Sequence, residues 1–288
     1  MKGIILAGGK GTRLSPLTNF TVKQLLSVYD KPLIYYPLSL LILSGIDDIL
    51  IICNPSEKKI FEKVLRKGED FGIKISIKEQ KKPGGIPEAF IIGENFIGKE
   101  KVCLILGDNI FIGSGLPQKI NDAFQLEKEA TIFTTPVPNP KDFGVLNMKK
   151  GKLTGIVEKP NKPQSNLAVT GLYVYPNCII EKAKSLKPSK RGELEITDIN
   201  KQYLKDGMLN NISLKRGNAW FDCGSFDSLL EASNYVSMNQ KIQGLLISSP
   251  HEAAFRKGLI DKRKLQGLLD KLGDNDYKSL LKILNKES

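Results

Sequence analysis

Short apolar runs alternate with stretches of helical spacing through the first two thirds of the chain. Residues 4–7, 49–53, 73–77, 102–106 and 131–135 read as strands, three of them nearly continuously apolar, as strands covered on both faces are. Between them, residues 57–67, 86–96 and 116–128 carry helix-like spacing and good helix formers. Pro87 falls in a first helical turn, where no N–H donor is needed. This alternation predicts an α/β fold: a Rossmann-like, mostly parallel mixed sheet with helices on both faces.

After Pro136 the rhythm changes. Pro136, Pro138 and Pro140 suggest an extended linker, and residues 144–146 and 152–158 read as a hairpin. A strand at 169–175, helices at about 177–184 and 195–206, and strands at 212–214 and 219–222 complete a β-rich insertion. Ser228 to Glu231 resembles a capping box near the start of a helix running toward Met238. From about Lys241 the chain reads as a helical tail, with leucines at 265, 268, 269, 272, 280, 281 and 284. The expected organisation is one main domain over 1–240, holding an insertion at about 137–222, and a helical tail over 241–288.

Composition narrows the chemistry. Hydrophobic residues at 41% and charged residues at 26% are an ordered, globular balance. One histidine, His251, excludes any site needing several imidazoles from one chain. The cysteines at 53, 103, 178 and 223 form no C-x-x-C motif and lie in or beside apolar runs, so buried, reduced thiols are expected. No apolar stretch reaches the ~18–20 residues that span a bilayer, since residues 33–46 are interrupted by Pro37. Met1 leads straight into the first strand without a signal-peptide pattern, and a cytoplasmic protein is expected. The net charge of +12 is scattered among acids rather than gathered on one element. A basic solvated surface therefore fits better than a nucleic-acid groove, although it would attract a small polyanion.

The strongest local signal follows the first strand. Gly8, Gly9 and Gly11 permit close backbone approach, and Lys10 and Arg13 add positive charge beside their N–H groups. Ligands of open α/β sheets bind at the carboxyl ends of strands, where this turn lies. The spacing fits neither a Walker A loop nor a complete dinucleotide fingerprint, and no ribose-binding acid closes the second strand, where Cys53 precedes Asn54 and Pro55. A phosphate-binding turn of another kind remains.

Further along, Gly8-Gly9-x-Gly11-Thr12-Arg13-Leu14, Pro16, Thr18 and Lys23-Gln24-Leu25-Leu26 resemble the motif of sugar-nucleotide pyrophosphorylases, nucleotidyltransferases acting on sugar 1-phosphates. Asp30 through Leu38, Leu106 through Phe111, Glu158-Lys159-Pro160, Ala168 through Tyr173, Arg191 through Asn200 and Ala253 through Gly258 extend the likeness toward the glucose-1-phosphate thymidylyltransferase branch. The resemblance runs from residue 1 to about residue 260 and implies the nucleotide-diphospho-sugar transferase type of fold. It also implies a reaction: dTTP and glucose 1-phosphate give dTDP-glucose and pyrophosphate, feeding dTDP-rhamnose or related deoxysugars. A uridylyltransferase is the near alternative, because thymine and uracil differ by one methyl group.

The same resemblance assigns roles. Arg13 and Lys23 would offset charge on the departing pyrophosphate, and Lys159 and Arg191 would hold the sugar phosphate. Leu6, Gly8, Gly9, Gly11, Thr12, Gln24, Gln80, Pro83, Gly85 and Asp108 would bind nucleotide. Leu106, Phe143, Gly144, Glu158, Val169, Tyr173 and Trp220 would line the sugar pocket, with Phe143 standing where many relatives carry tyrosine. Asp108 and Asp222 would hold Mg²⁺, whose hard character suits carboxylate oxygens. Each alone would read as a turn or N-cap acid, just as the lysines alone would read as surface ion pairs. Glu252 and Arg256 in the tail would contribute to a regulatory dTDP-sugar site of a homotetramer.

Overall fold

The first strand, Lys2–Ala7, lies between Asp48–Cys53 and Val102–Leu106 and pairs in parallel with both. In the computed structural model, which describes residues 1–9 and 11–284, this trio forms the middle of a nine-stranded sheet. Lys10 and the last four residues lie outside the described residues. Lys74–Glu79 extends the parallel edge beyond Asp48–Cys53. On the other side Leu167–Tyr175 runs antiparallel to Val102–Leu106 and carries the hairpin Gly144–Lys149 and Lys152–Glu158. It also pairs with Ala130–Pro136, to which Leu209–Ser213 adds in parallel. The sheet is therefore mixed, parallel at its N-terminal core and antiparallel where the insertion joins.

Consecutive side chains of the first strand serve opposite faces, as a period of two requires. Ile5 and Ala7 join the layer of Leu38, Ile51 and Ile105, whereas Ile4 and Leu6 join that of Leu50, Phe90 and Leu104. Tail leucines Leu265, Leu268, Leu269, Leu281 and Leu284 belong to the first of these layers, so the C-terminal helices complete the core under the sheet.

Several boundaries depart from the sequence reading. The apolar stretch at 33–46 contains the helix Tyr35–Leu43, with Pro37 in its first turn. Residues 86–96 divide at Gly93 into Glu88–Ile92 and Glu94–Ile97, and residues 57–67 end as helix at Leu65, where Arg66 turns left-handed. The helix begun at Leu116 stops at Gln125, and the strand expected at 212–214 spans Leu209–Ser213, its two asparagines having masked the first half. The capping box is Ser225 with Ser228, so the helix Phe226–Gln243 begins three residues earlier than Ser228–Glu231 implied. Here Ser225 accepts the Ser228 N–H and the Ser228 hydroxyl answers the Ser225 N–H, an exchange that needs no glutamate. Among the described residues the tail holds three helices, Pro250–Arg256, Lys262–Leu269 and Asp276–Leu284, after a break at Gly244. Cys53, Cys103 and Cys223 are buried as expected, but Cys178 is exposed because it caps the helix Ile179–Ser185 at the surface. No helix among the described residues is long and apolar enough to cross a membrane.

Candidate active site

Parallel register brings the ends of three strands together, with Ala7 beside Cys53 and Leu6 beside Leu106. The chain that leaves each end therefore meets the others. Leu6 O accepts the Gly107 N–H at 2.9 Å, locking the glycine turn to the segment that carries Asp108. Gly11 takes a left-handed conformation with φ 60° as it caps the short helix Thr12–Leu14, and its carbonyl accepts the Thr18 hydroxyl at 3.0 Å. Arg13, exposed, and Lys23, only 8% exposed, follow on this braced turn. Gln24 is buried beside Gly107, and its Oε1 finds no partner among the described residues.

Asp222 reaches the same place by strand pairing. Ala219–Asp222 runs antiparallel to Asn109–Ile112, and Asp222 stands opposite Asn109, one residue from Asp108. The Cys223 N–H donates to Asp108 O at 3.0 Å. Lys23 Nζ meets Asp108 Oδ2 at 2.5 Å, and the Arg13 guanidinium lies against Gly224, where a Cβ would come within 2.8 Å of Nη2. Burial, then the nearby Asp108 carboxylate, push the Asp222 carboxyl up to about 6, while Lys23, Arg13 and Lys159 pull it back. Two acids and three cations that are scattered in sequence thus share one electrostatic neighbourhood.

Mg²⁺ fits this donor set. It binds commonly through one or two carboxylates, leaving its other positions to water and phosphate. A dication between Asp108 and Asp222 would offset both the burial and the repulsion that raise the Asp222 pKa. Among the described residues no group of three or more His, Cys, Asp or Glu side chains is placed to hold a metal ion, so a site made only of such ligands is not offered here.

Beside the acids opens a cleft of about 240 Å³. Leu106, Phe143, Gly144, Glu158, Lys159, Val169, Tyr173 and Trp220 line it, together with Gly85, Arg191 and Asp222. The Phe143 ring packs edge-on against Trp220, 5.2 Å between centroids. Burial, reinforced by Glu158, raises the Tyr173 pKa, so this phenol stays protonated. Lys159 holds a positive φ of 43° while its N–H donates to Phe143 O at 3.0 Å. Arg191 lies at the rim, bound to Glu195 through Nε and Nη2 and 3.8 Å from Glu158. These hydrogen bonds raise its already high pKa, so it is a fixed cation.

The base-side residues lie next to the glycine turn. Gln80 is buried against Gly8, Gly85 has a φ of 89° in contact with Leu194, and Pro83 is exposed between them. Glu252 and Arg256 are not part of the cleft; they pair with each other at 2.8 Å on the tail helix Pro250–Arg256. Three participants escaped the sequence reading. Thr197 donates to Glu158 Oε2 at 2.6 Å, Asn109 bonds Asp108, Trp220 and Gly171, and Glu88 accepts from Gln80. Their only signal was their place inside or beside the quoted motifs.

The family model for nucleotidyl transferases matches residues 2–239. A glucose-1-phosphate thymidylyltransferase of Neisseria meningitidis is 50% identical, covering 99% of this chain and 100% of the relative. One from Mycolicibacterium smegmatis is 47% identical over the full length of both. Among solved structures, one from Bacillus anthracis assigned as a glucose-1-phosphate thymidylyltransferase in complex with sucrose matches with TM-score 0.77 and 40% identity. It covers 82% of this chain and 94% of that one. A UDP-glucose pyrophosphorylase complexed with UDP-glucose matches with TM-score 0.72 and 27% identity, covering 83% and 98%.

Proposed function

The chain belongs to the nucleotidyl transferase family, in its glucose-1-phosphate thymidylyltransferase branch, and from that premise we propose that it joins dTTP to glucose 1-phosphate, forming dTDP-glucose and releasing pyrophosphate. The observation that carries this reading is the gathering of Arg13, Lys23 and Lys159 around Asp108 and Asp222, between a glycine turn and a sugar-sized cleft. Phosphoryl-group chemistry of this kind needs positioned charge more than a side-chain nucleophile, which suits a chain whose single histidine does not line the cleft.

In this mechanism the triphosphate lies along the glycine turn, where the backbone N–H groups of Gly8, Gly9, Gly11 and Thr12 and the Arg13 guanidinium receive its oxygens. Lys159 and Arg191 hold the sugar phosphate and blunt its repulsion from the nucleotide. An oxygen of the sugar phosphate attacks the α-phosphorus, the α–β bond breaks, and pyrophosphate leaves toward Arg13 and Lys23. Asp108 and Asp222 would hold Mg²⁺, which supplies charge neutralisation at the phosphates when bound. Glu158, braced by Thr197, accepts sugar hydroxyls in the cleft. Gln80 and Gly85 address the pyrimidine edge, with Pro83 in the same loop.

We further assign the catalytic domain to residues 1–240 and the tail to 241–288. Self-association to a homotetramer is supported by an open apolar stripe, Phe226, Leu230, Met238 and Ile242, along the helix Phe226–Gln243. Glu252 and Arg256 would serve a dTDP-sugar site that feeds back on the enzyme, in a cytoplasmic route toward dTDP-rhamnose or related deoxysugars. Pyrophosphate release measured across four nucleotides and several sugar 1-phosphates tests the activity. dTTP with glucose 1-phosphate is expected to give the highest kcat/KM, and Arg13→Ala or Lys159→Ala to lower turnover by about 10²–10³. No release from dTTP, or wild-type rates in both variants, would remove this assignment. A clear preference for UTP would move it to the uridylyltransferase reading, toward which the structural likeness to UDP-glucose pyrophosphorylase points.

A further inference from the structure

Gln80, the buried residue that addresses the pyrimidine edge, is tied to Glu88, a half-buried carboxylate that the reaction as described does not use. Glu88 opens the helix Glu88–Ile92, and its carboxylate packs onto Gly84, where any Cβ would overlap it. Gln80 is 5% exposed, and its Nε2 donates to Glu88 Oε2 at 2.6 Å, with Gly85 O at 3.5 Å.

An ionised carboxylate only accepts hydrogen bonds, so it can receive the nitrogen of an amide but not its oxygen. That preference breaks the near-symmetry of the glutamine amide and holds it one way round. Gln80 Oε1 then faces the glycine turn, where a Cβ on Gly8 would come within 2.5 Å of it. Among the described residues, the Gln80 side chain hydrogen-bonds only through Nε2, to Glu88 Oε2 and the Gly85 carbonyl. The result is an acceptor set in a largely buried position beside the turn, and a ligand N–H would satisfy it.

We propose that Glu88 determines base selectivity by fixing Gln80 with its carbonyl oxygen toward the nucleobase. Thymine and uracil carry a ring N–H on the edge that an acceptor can meet. Cytosine carries a bare ring nitrogen at that position, so two acceptors would face each other in a poorly solvated site. A site built to receive a donor rejects an analogue lacking it far more strongly than an apolar pocket rejects a missing methyl group. Glu88 is a positioning residue in this scheme, acting on the base only through Gln80. The inference rests on the reading that seats the nucleobase in the loop of Gln80 and Gly85.

The test is steady-state kinetics with dTTP and with dCTP at saturating glucose 1-phosphate, on the full chain and on Glu88→Gln, Glu88→Leu and Glu88→Lys. Glu88→Gln can still turn an oxygen to Gln80 Nε2, so the ratio of kcat/KM for the two nucleotides stays within about threefold of wild type. Glu88→Leu frees the amide, and Glu88→Lys offers it a donor that draws the oxygen away from the base. Both narrow the preference for dTTP by about tenfold or more, through a raised KM for dTTP with little change in kcat. If Glu88→Leu does not fold, Glu88→Lys carries the same test, with a circular dichroism melt as its control. An unchanged ratio in either folded variant, or an equal loss for both nucleotides, overturns the inference. A wild-type protein that does not turn over dTTP would instead overturn the proposed function beneath it.

Discussion

The indole N–H of Trp220 donates to Asn109 Oδ1 at 2.8 Å. The same oxygen accepts the Gly171 N–H at 3.1 Å, and the Asn109 amide donates to Asp108 Oδ1 at 3.0 Å. Asn109 is 1% exposed, and Gly171 is the residue that lets it approach so closely, since a Cβ there would lie 2.5 Å from Oδ1. One buried amide thereby couples an acid of the phosphate region to the wall of the sugar cleft. Its donor and acceptor ends both have partners, which is the condition under which a buried polar network rigidifies a site.

Replacing Asn109 by leucine should release both ends at once. Trp220 Nε1 and the Gly171 N–H would lose their acceptor in a buried setting, at a cost of about 2–3 kcal/mol in unfolding free energy. Turnover should fall by about 10–10², because Asp108 and Trp220 would both be less firmly placed. Urea unfolding and steady-state kinetics check the two effects. Trp220 is the chain's single tryptophan, so its fluorescence reports the change directly. Wild-type kcat/KM in this variant would show that the link carries no functional weight.

Thr197→Val tests the sugar side with little change of volume. Thr197 is buried and its hydroxyl donates to Glu158 Oε2 at 2.6 Å. Without that donor the Glu158 carboxylate is no longer aimed, and KM for glucose 1-phosphate should rise by about threefold to tenfold, near 1 kcal/mol, while KM for dTTP stays put. Thr197→Ser should restore the wild-type value. Equal changes in both KM values would place Thr197 in general packing.

The acids make a prediction about metal. Burial and Asp108 hold the Asp222 carboxyl up to about 6, so its ionised form is strained until a cation arrives. Mg²⁺ at about a hundredfold over its Kd should stabilise the fold by about 2.7 kcal/mol, visible as a higher Tm. Asp222→Asn should abolish both that shift and turnover, while raising the Tm of metal-free protein at neutral pH by removing one of two like charges. A full Mg²⁺ shift in this variant would take Asp222 out of the metal site.

The strands around the glycine turn were legible because covered parallel strands are written as continuous apolar runs, as in Val102–Leu106. The helix Tyr35–Leu43 was not, for a related reason: residues 36–42 are all buried, so no polar face marks a helical period. Asp108 and Asp222 lie in one neighbourhood of the fold, yet nothing in the spacing of the motifs shows why Asp222 meets Asp108. That follows from the pairing of Asp222 with Asn109 across two short strands. Thr197, Asn109 and Glu88 were harder still. Each matters through a partner from another element, and a hydrogen bond across the fold leaves no trace in local composition.

His251 makes the stability of the fold depend on pH. Its ring lies among Tyr35, Phe71 and Tyr277, with Nδ1 2.8 Å from the Tyr277 hydroxyl, where the tail helices join the core. Burial lowers its pKa to about 4, and Asp70 only partly opposes this. The folded state therefore holds the ring neutral, while the unfolded chain takes up a proton below about 6.5. Stability from this residue is complete above pH 6.5 and is lost as pH falls from there to about 4, by about 3 kcal/mol in all. His251→Gln keeps a polar partner for Tyr277 without the proton, so its Tm should fall less steeply over that interval. Carboxylates titrating in the same range contribute to both proteins, so the difference between the two curves isolates the imidazole, which is the chain's only one. Calorimetric melts from pH 7 to pH 4 that run parallel for the two proteins would mean that this ring takes up its proton without resistance from the fold.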